Sequence, residues 1–506
     1  MQAPKTARVT PERPGAAGIL PDSPRPAPML LRLPPSARTL VLAAAFAAPA
    51  TAQQAPDSVA VDLAGAIARA LDGSPEVGID ASGRDFAAAR LRQARAARYA
   101  TEFTATSGHA VAPGLSRNGS TRPDNALYLS PEVRNDWENV RPYNQVQVEV
   151  LQPLYTWGEL GGNIRAAQAG MEVEEAVVEQ TREAVALRTA ELVVGLQLTD
   201  ALGRLADETE SVLGRAETEL ARLLDEGDPD VDDAALFQLR LFEQETGARV
   251  AELEQNRLLA RSALARQLLL PGAAVRPTAP LAPLPAPPDT LEAYQALALR
   301  HRPEIRQAGA GLRAREALVD VAKSDYYPKL FVSVRGEARF AEGRPNQSNP
   351  FISDGFSSGS GVRAGVGMRQ NLAFGQTRAR VAQAQAQADE VRYQATAAEQ
   401  LVLFEVGEAF RQMRTRQAAL AARTEGRRLA GEWERTEQVN FDLGLGTTTG
   451  LTGATRARLE ADAGYLDAVR AYNVAVLRLY AATGTLADRA EGHLERGTSF
   501  EEGEGE

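Results

Sequence analysis

The sequence predicts a mainly α-helical chain with a small β part, in which a long helical hairpin occurs twice and two short strands precede each copy. Three observations carry this prediction. Leu63, Ala70, Leu71, Pro75 and Glu76 return as Leu291, Ala298, Leu299, Pro303 and Glu304 at a constant offset of 228 residues, and a fixed offset of this kind marks a duplicated unit. The stretches from Gly158 to Gly227 and from Gly375 to Gly444 each span 69 residues without a proline. Four segments alternate apolar and polar residues with period two, the pattern of half-buried strands.

Each copy opens with a short helix stopped before a proline, then a second helix starting with Pro-Glu in its first turn, a favoured use of proline at the first helical position. The strands follow. Residues 144–152 place Val146, Val148 and Val150 opposite Gln145, Gln147 and Glu149. Residues 330–340 place Val332, Val334, Ala338 and Phe340 opposite Ser333, Arg335, Glu337 and Arg339. Residues 363–369 alternate Ala364, Val366 and Met368 with Arg363 and Arg369, and 101–107 set Phe103 and Ala105 against Thr104 and Thr106. The polar stretches 109–141 and 341–361 read as exposed loops.

A junction recurs where strand gives way to helix: Leu151-Gln152-Pro153-Leu154-Tyr155-Thr156-Trp157-Gly158 matches Arg369-Gln370-Asn371-Leu372-Ala373-Phe374-Gly375 with one residue deleted. Residues 159–224 and 376–441 then read as helices of about 66 residues, about 100 Å long. Apolar positions at 391, 395, 398, 402, 406, 409 and 413 recur every 3.67 residues or so. In the first copy Val173, Val177, Ala184, Leu187, Val194, Leu198 and Leu205 mark the packing seam. Breaks at 225–233 and 442–452 turn each helix back into a partner, the first running to about Leu270 and the second to about Thr483. Gly at the helix end and Asp or Thr as the next N-cap are the expected chemistry there.

The boundaries that follow are 1–52 as a signal peptide, 53–270 as the first repeat, 271–289 as an extended proline-rich linker, 290–485 as the second repeat and 486–506 as a disordered acidic tail. The signal reading rests on Arg32 and Arg38, the apolar run from Leu40 to Ala48, and Ala50-Thr51-Ala52 as the cleavage site. The proline- and arginine-rich residues ahead of Met29 suggest Met29 as the true start. Residues 1–52 carry six basic and two acidic residues, so the remainder carries −14 where the whole chain carries −10. An acidic chain argues against a nucleic-acid partner. Cysteine is absent, which excludes disulfides, thiolate metal sites and N-terminal lipidation on cysteine. His109, His301 and His493 lack ligand-spaced partners and read as surface residues. No nucleotide-binding or hydrolase motif is present, so neither a catalytic residue nor a cofactor is expected.

Beyond residue 52 no run of 18 apolar residues occurs, so a membrane crossing must be made by strands. Four strands cannot enclose an open lumen, whereas twelve from three copies can. Tyr99, Tyr143, Tyr155, Trp157, Tyr326, Tyr327 and Phe374 fall at strand ends, where an aromatic girdle lies in a membrane barrel. Glu149, Arg335, Glu337 and Arg339 are then candidate lumen charges. Helices of 100 Å exceed any bilayer and project away from it.

The duplicated Leu…Ala-Leu…Pro-Glu opening, the Gln-Pro-Leu-x-x-x-Gly junction and the Gly-x-x-Thr turn after the long helix together resemble the TolC-like outer-membrane factor family over about residues 61–485. The resemblance implies a homotrimer with a 12-stranded transmembrane β-barrel in outer-membrane lipid and a long periplasmic α-barrel. It implies docking onto a periplasmic adaptor (membrane fusion) protein coupled to an inner-membrane pump, in a tripartite efflux or type I secretion system. Gly227, Asp228 and Asp230 of the first tip and Leu443, Gly444, Leu445 and Gly446 of the second would then meet the adaptor. Family members often carry aspartates just after the second tip; Gly450-Leu451-Thr452-Gly453 has none, and the acids Asp228, Asp230, Asp232 and Asp233 sit in the first tip instead. In three copies those carboxylates favour cations at the periplasmic entrance; a solvated acidic helix cap has the same composition. The other reading is a periplasmic coiled-coil adaptor or structural protein, which the two equal hairpins and four strands disfavour.

Overall fold

The computed structural model describes residues 58–99, 102–117, 133–226, 233–344, 355–443 and 445–496. In chain order these form β1 (Ser58–Val61), α1 (Leu63–Gly73), α2 (Pro75–Ala96), β2 (Glu102–Arg117), β3 (Val133–Tyr155), α3 (Glu159–Glu226), α4 (Asp233–Gln267), β4 (Ala274–Pro277), α5 (Leu291–His301), α6 (Pro303–Ser324), β5 (Lys329–Ala341), β6 (Gly359–Arg369), α7 (Phe374–Asp442), α8 (Thr448–Ala482) and α9 (Leu486–Arg496). The predicted signal sequence, with Met29, lies outside the described residues.

The duplication is visible in the lengths. The short helices α1 and α5 have 11 residues each, α2 and α6 have 22, the long α3 and α7 have 68 and 69, and the returning α4 and α8 have 35. The starts are made by the expected chemistry. Asp62 accepts from the Gly65 amide to cap α1 and Thr290 from the Ala293 amide to cap α5. Pro75 and Pro303 open α2 and α6, and only the first has a side-chain cap, from Ser74. Equivalent packing survives too: a Cβ on Gly83 would lie 3.3 Å from Glu174, and one on Gly311 would lie 3.7 Å from Val391, the matching pair of the second copy.

Four strands form one antiparallel sheet in the order β2-β3-β5-β6. They run further than the alternation indicated. Residues 109–117 and 133–141, expected in a loop, form the outer part of the β2–β3 ribbon: 112–117 pair within 133–141 and 109–111 with 142–144, with a register shift between Pro113 and Gly114. Residues rich in Asn, Asp and Pro are poor strand formers, and cross-strand pairing overrides that preference here. A second, parallel pair joins β1 to β4, so the proline-rich linker supplies a strand at its start.

The main core gathers where the short helices, the linker and the middle of the hairpins meet. Ile67 of α1, Val185 and Leu196 of α3, Leu264 of α4, Tyr294 of α5, Val406 of α7 and Leu477 of α8 are buried together. Along α7 the predicted seam holds, with Val402, Val406 and Met413 buried. Along α3 it holds in part: Val194 is buried, Ala184 is exposed, and the buried line also takes in Gly162, Ala169, Ala176, Val185, Ala186 and Val193. Small residues at close helix contacts carry little hydropathy signal, so a hydropathy pattern favours their bulkier neighbours.

Residues 486–496 correct the disordered-tail expectation. They form α9, with Leu486, Ala487 and Ala490 in the main core and His493 buried rather than at the surface. Glu183 of α3 anchors the helix, accepting from the Leu486 and Ala487 amides at 3.2 and 3.1 Å; Arg182 pairs with Glu491. Burial pushes the Glu183 carboxyl up to about 7 from its ordinary 4.5, against the pull of those two amides, with Asp488 and Glu179 adding like charge. A carboxyl raised in this way holds its proton more tightly folded than unfolded. The contribution of Glu183 to stability is therefore fullest below about pH 4.5 and falls as pH rises towards 7, by about 3 kcal/mol at most. Thermal unfolding across that window should show the decline, and Glu183→Gln should flatten it.

Candidate functional site

The strand register sorts the sheet into two chemically distinct faces. Glu149 stands opposite Arg335, Gln147 opposite Glu337 and Gln145 opposite Arg339; Thr104 and Thr106 extend the same face on β2 and Arg363 on β6. Directly opposed residues share a face. The other face carries Phe103, Ala105, Val146, Val148, Val150, Val332, Val334, Ala338, Val362, Ala364 and Val366. In the single chain this apolar face is bare: Val362 is 76% exposed and Val366 75%. All four charges singled out in the sequence thus fall on one face. Arg335 donates to Glu149 at 2.7 Å, and Glu337 accepts from Arg363 at 2.9 Å. Arg363, on the polar side of its own strand in the alternation, joins these charges through the register that sets it opposite Arg335.

Aromatic side chains close both ends of the strands. At the helical end Trp157 stacks on Tyr327 at 4.7 Å, meets Tyr155 edge-on at 4.9 Å and donates to the Pro328 carbonyl at 2.8 Å. The turn there is tight, with Trp157 at φ 53° and Gly158 at φ 94°, which leads β3 directly into α3. Lys329 ties the junction together, 2.8 Å from Glu159 and 2.9 Å from Asp325. At the opposite end Phe356 meets Trp137 at 5.8 Å and Tyr143 at 6.4 Å. Nearby, Arg344 donates to the Pro113 carbonyl at 2.8 Å.

The hairpin tips lie at the far ends of the long helices. Gly227, Asp228, Asp230, Asp232 and Gly444 lie outside the described residues; Asp233 is the first residue of α4. The second tip presents Leu443 and Leu445 to solvent, 67% and 79% exposed. Its reversal is tight, because the Leu445 and Gly446 amides both donate to the Asn440 carbonyl, at 2.9 and 3.0 Å. A Cβ on Gly446 would lie 2.8 Å from the Phe441 nitrogen, and Thr447 caps α8 by accepting from the Gly450 amide at 3.1 Å. Gly446→Ala should loosen this turn by about 1–3 kcal/mol, seen as faster amide exchange confined to residues 440–450.

Behind the tips the two hairpins are linked by charge. Arg458 of α8 reaches Glu434 of α7 at 3.0 Å and Glu208 of α3 at 2.7 Å. A groove of about 680 Å³ lined by Leu220, Leu239, Phe242, Val439 and Phe441 runs beside it. Nothing in the local sequence marks Arg458, whose partners lie 24 and 250 residues away. Among the described residues no helix is long and apolar enough to cross a membrane, and no group of three or more His, Cys, Asp or Glu is gathered as a metal site.

Residues 295–485 match the family model described as outer membrane efflux protein. No curated protein matches the chain. Among solved structures, the chain is similar to the outer membrane protein VceC of Vibrio cholerae, with a TM-score of 0.64 and 17% identity over 83% of this chain and 96% of that one. It is also similar to the open-state MtrE outer membrane channel of Neisseria gonorrhoeae, with a TM-score of 0.65 and 16% identity over 84% and 89%. For the CmeC outer membrane channel of Campylobacter jejuni the TM-score is 0.63, at 14% identity over 86% and 88%.

Proposed function

We propose that the chain is a TolC-like outer-membrane factor: one protomer of an outer-membrane exit duct that extends into the periplasm and passively conducts substrate outward. The observation that carries this reading is the two-faced sheet, one face apolar and the other charged, bounded by aromatics and continued by helices of 68 and 69 residues. Charges on a lipid face cost about 2–4 kcal/mol at mid-bilayer, so the polar face lines the lumen. The energy for transport comes from an inner-membrane pump, reached through a periplasmic adaptor protein at the hairpin tips; Leu443 and Leu445 are the exposed apolar contacts for it.

The duplication supports the trimer. Within the chain α6 packs against two long helices, its own α7 and the preceding copy's α3: Arg165 meets Asp320 at 3.0 Å, and Gly162 faces Val321 and Ala317. Its repeat mate α2 packs on α3 and keeps Ile79 and Phe86 exposed. On α7 the mates of Gly162, Ala169 and Ala176 are Ala379, Ala386 and Tyr393, which are exposed where the first three are buried; Ala176 is 2% exposed and Tyr393 76%. Setting α2 of one copy against α7 of the next repeats the internal joint between chains. Such a head-to-tail contact closes into a ring, and three copies bring the twelve strands an open barrel needs. Purified protein in a planar bilayer should give stepwise conductance; a membrane that stays silent at every protein concentration contradicts the duct.

A further inference from the structure

We infer that Arg339 draws anions through the outer part of the duct, so that the cargo it favours there is anionic. This rests on the conduit reading above. The polar face carries its own charge balance, and Arg339 is left out of it. Glu149 is taken by Arg335 and Glu337 by Arg363, at 2.7 and 2.9 Å. Arg339, two residues further along β5, has no carboxylate partner among the described residues, and its Nε is buried without an acceptor there. Its register neighbours are Gln145 on β3 and Gly359 on β6. Both belong to the same chain, because β5 is an inner strand of the sheet. Closing the ring through the edge strands β2 and β6 therefore brings no new strand beside Arg339.

A guanidinium stays charged at any physiological pH and offers a planar fork that matches carboxylates and phosphates. Gln145 adds a neutral amide, and Gly359 contributes no side chain to screen the charge. Three copies set three such groups at one level of the lumen, near the end of the strands where Phe356 meets Tyr143. Rings of arginine select for anions in pores. The duct then carries opposite signs at its two ends, acidic in the first periplasmic tip and basic here.

The test is the reversal potential of single channels in a potassium chloride gradient. Arg339→Gln should move it toward the potassium equilibrium potential, and Arg339→Lys should leave it near the wild-type value. Gln145→Glu provides a second route: it places a carboxylate directly opposite Arg339 and should shift the potential in the same direction while the arginine stays. Unchanged reversal potentials in Arg339→Gln and Gln145→Glu channels of normal conductance would overturn the inference and leave the conduit reading intact. A wild-type protein that forms no channels would instead overturn the conduit reading, and this inference with it.

Discussion

Charging the outer face of α2 should split the assembly and spare the protomer. Ile79→Asp combined with Phe86→Asp removes two large apolar side chains from the face that the repeat geometry sets against α7 of a neighbouring copy. Burying each is worth about 1.5–3 kcal/mol, and every joint of the ring loses both. The expected result is a monomer by mass with wild-type helical content, because neither residue belongs to the protomer's own core. Tyr393→Asp should act in the same direction from the other side of the joint. Gly162→Leu provides the contrast: it forces a side chain where a Cβ alone would lie 2.6 Å from Val321 and 3.0 Å from the Ala317 carbonyl. That change should lower the stability of the protomer itself, as overpacking does.

The second large effect is a pair of adjacent substitutions with opposite outcomes. Val334 and Ser333 follow one another on β5 and face opposite sides of the sheet. Val334→Arg puts a guanidinium on the face that the proposed duct turns to lipid, at about 2–4 kcal/mol per copy at mid-bilayer, three times in a trimeric barrel. It should leave the protein unfolded or aggregated outside the membrane. Ser333→Arg puts the same group on the side of Glu149 and Arg335, where water is present, and should yield folded channels. Fractionation of outer membranes with the two variants reads the difference directly. Equal insertion of both would remove the basis for the sidedness of the sheet.

Much of this fold is legible because duplication writes each element twice. Pro75-Glu76 and Pro303-Glu304 fix the helix starts, and the equal glycine spacings anticipate α3 and α7 to within a few residues. The period-two segments place Glu149, Arg335, Glu337 and Arg339 on one face before any pairing is known. What stays hidden depends on contacts between distant residues. The α3 seam runs through Gly162, Ala169 and Ala176, residues too small to stand out in a hydropathy pattern. The segment Leu-Ala-Asp-Arg-Ala-Glu-Gly-His of α9 reads as charged surface; its anchoring by Glu183 bridges more than 300 positions. The four-residue strands β1 and β4 stabilise each other across the linker and carry no periodicity of their own. The hairpin tips are marked by their glycines, but Arg458 and the groove beside it exist only once two hairpins lie side by side.

Threefold closure is the central claim, since a lumen, a lipid-facing wall and a ring at Arg339 all require it. The direct measurement is the mass of the detergent-solubilised mature protein, corrected for bound detergent. The account predicts three chains per particle and precipitation once the detergent is removed without lipid. A single chain that stays soluble in plain buffer would contradict it.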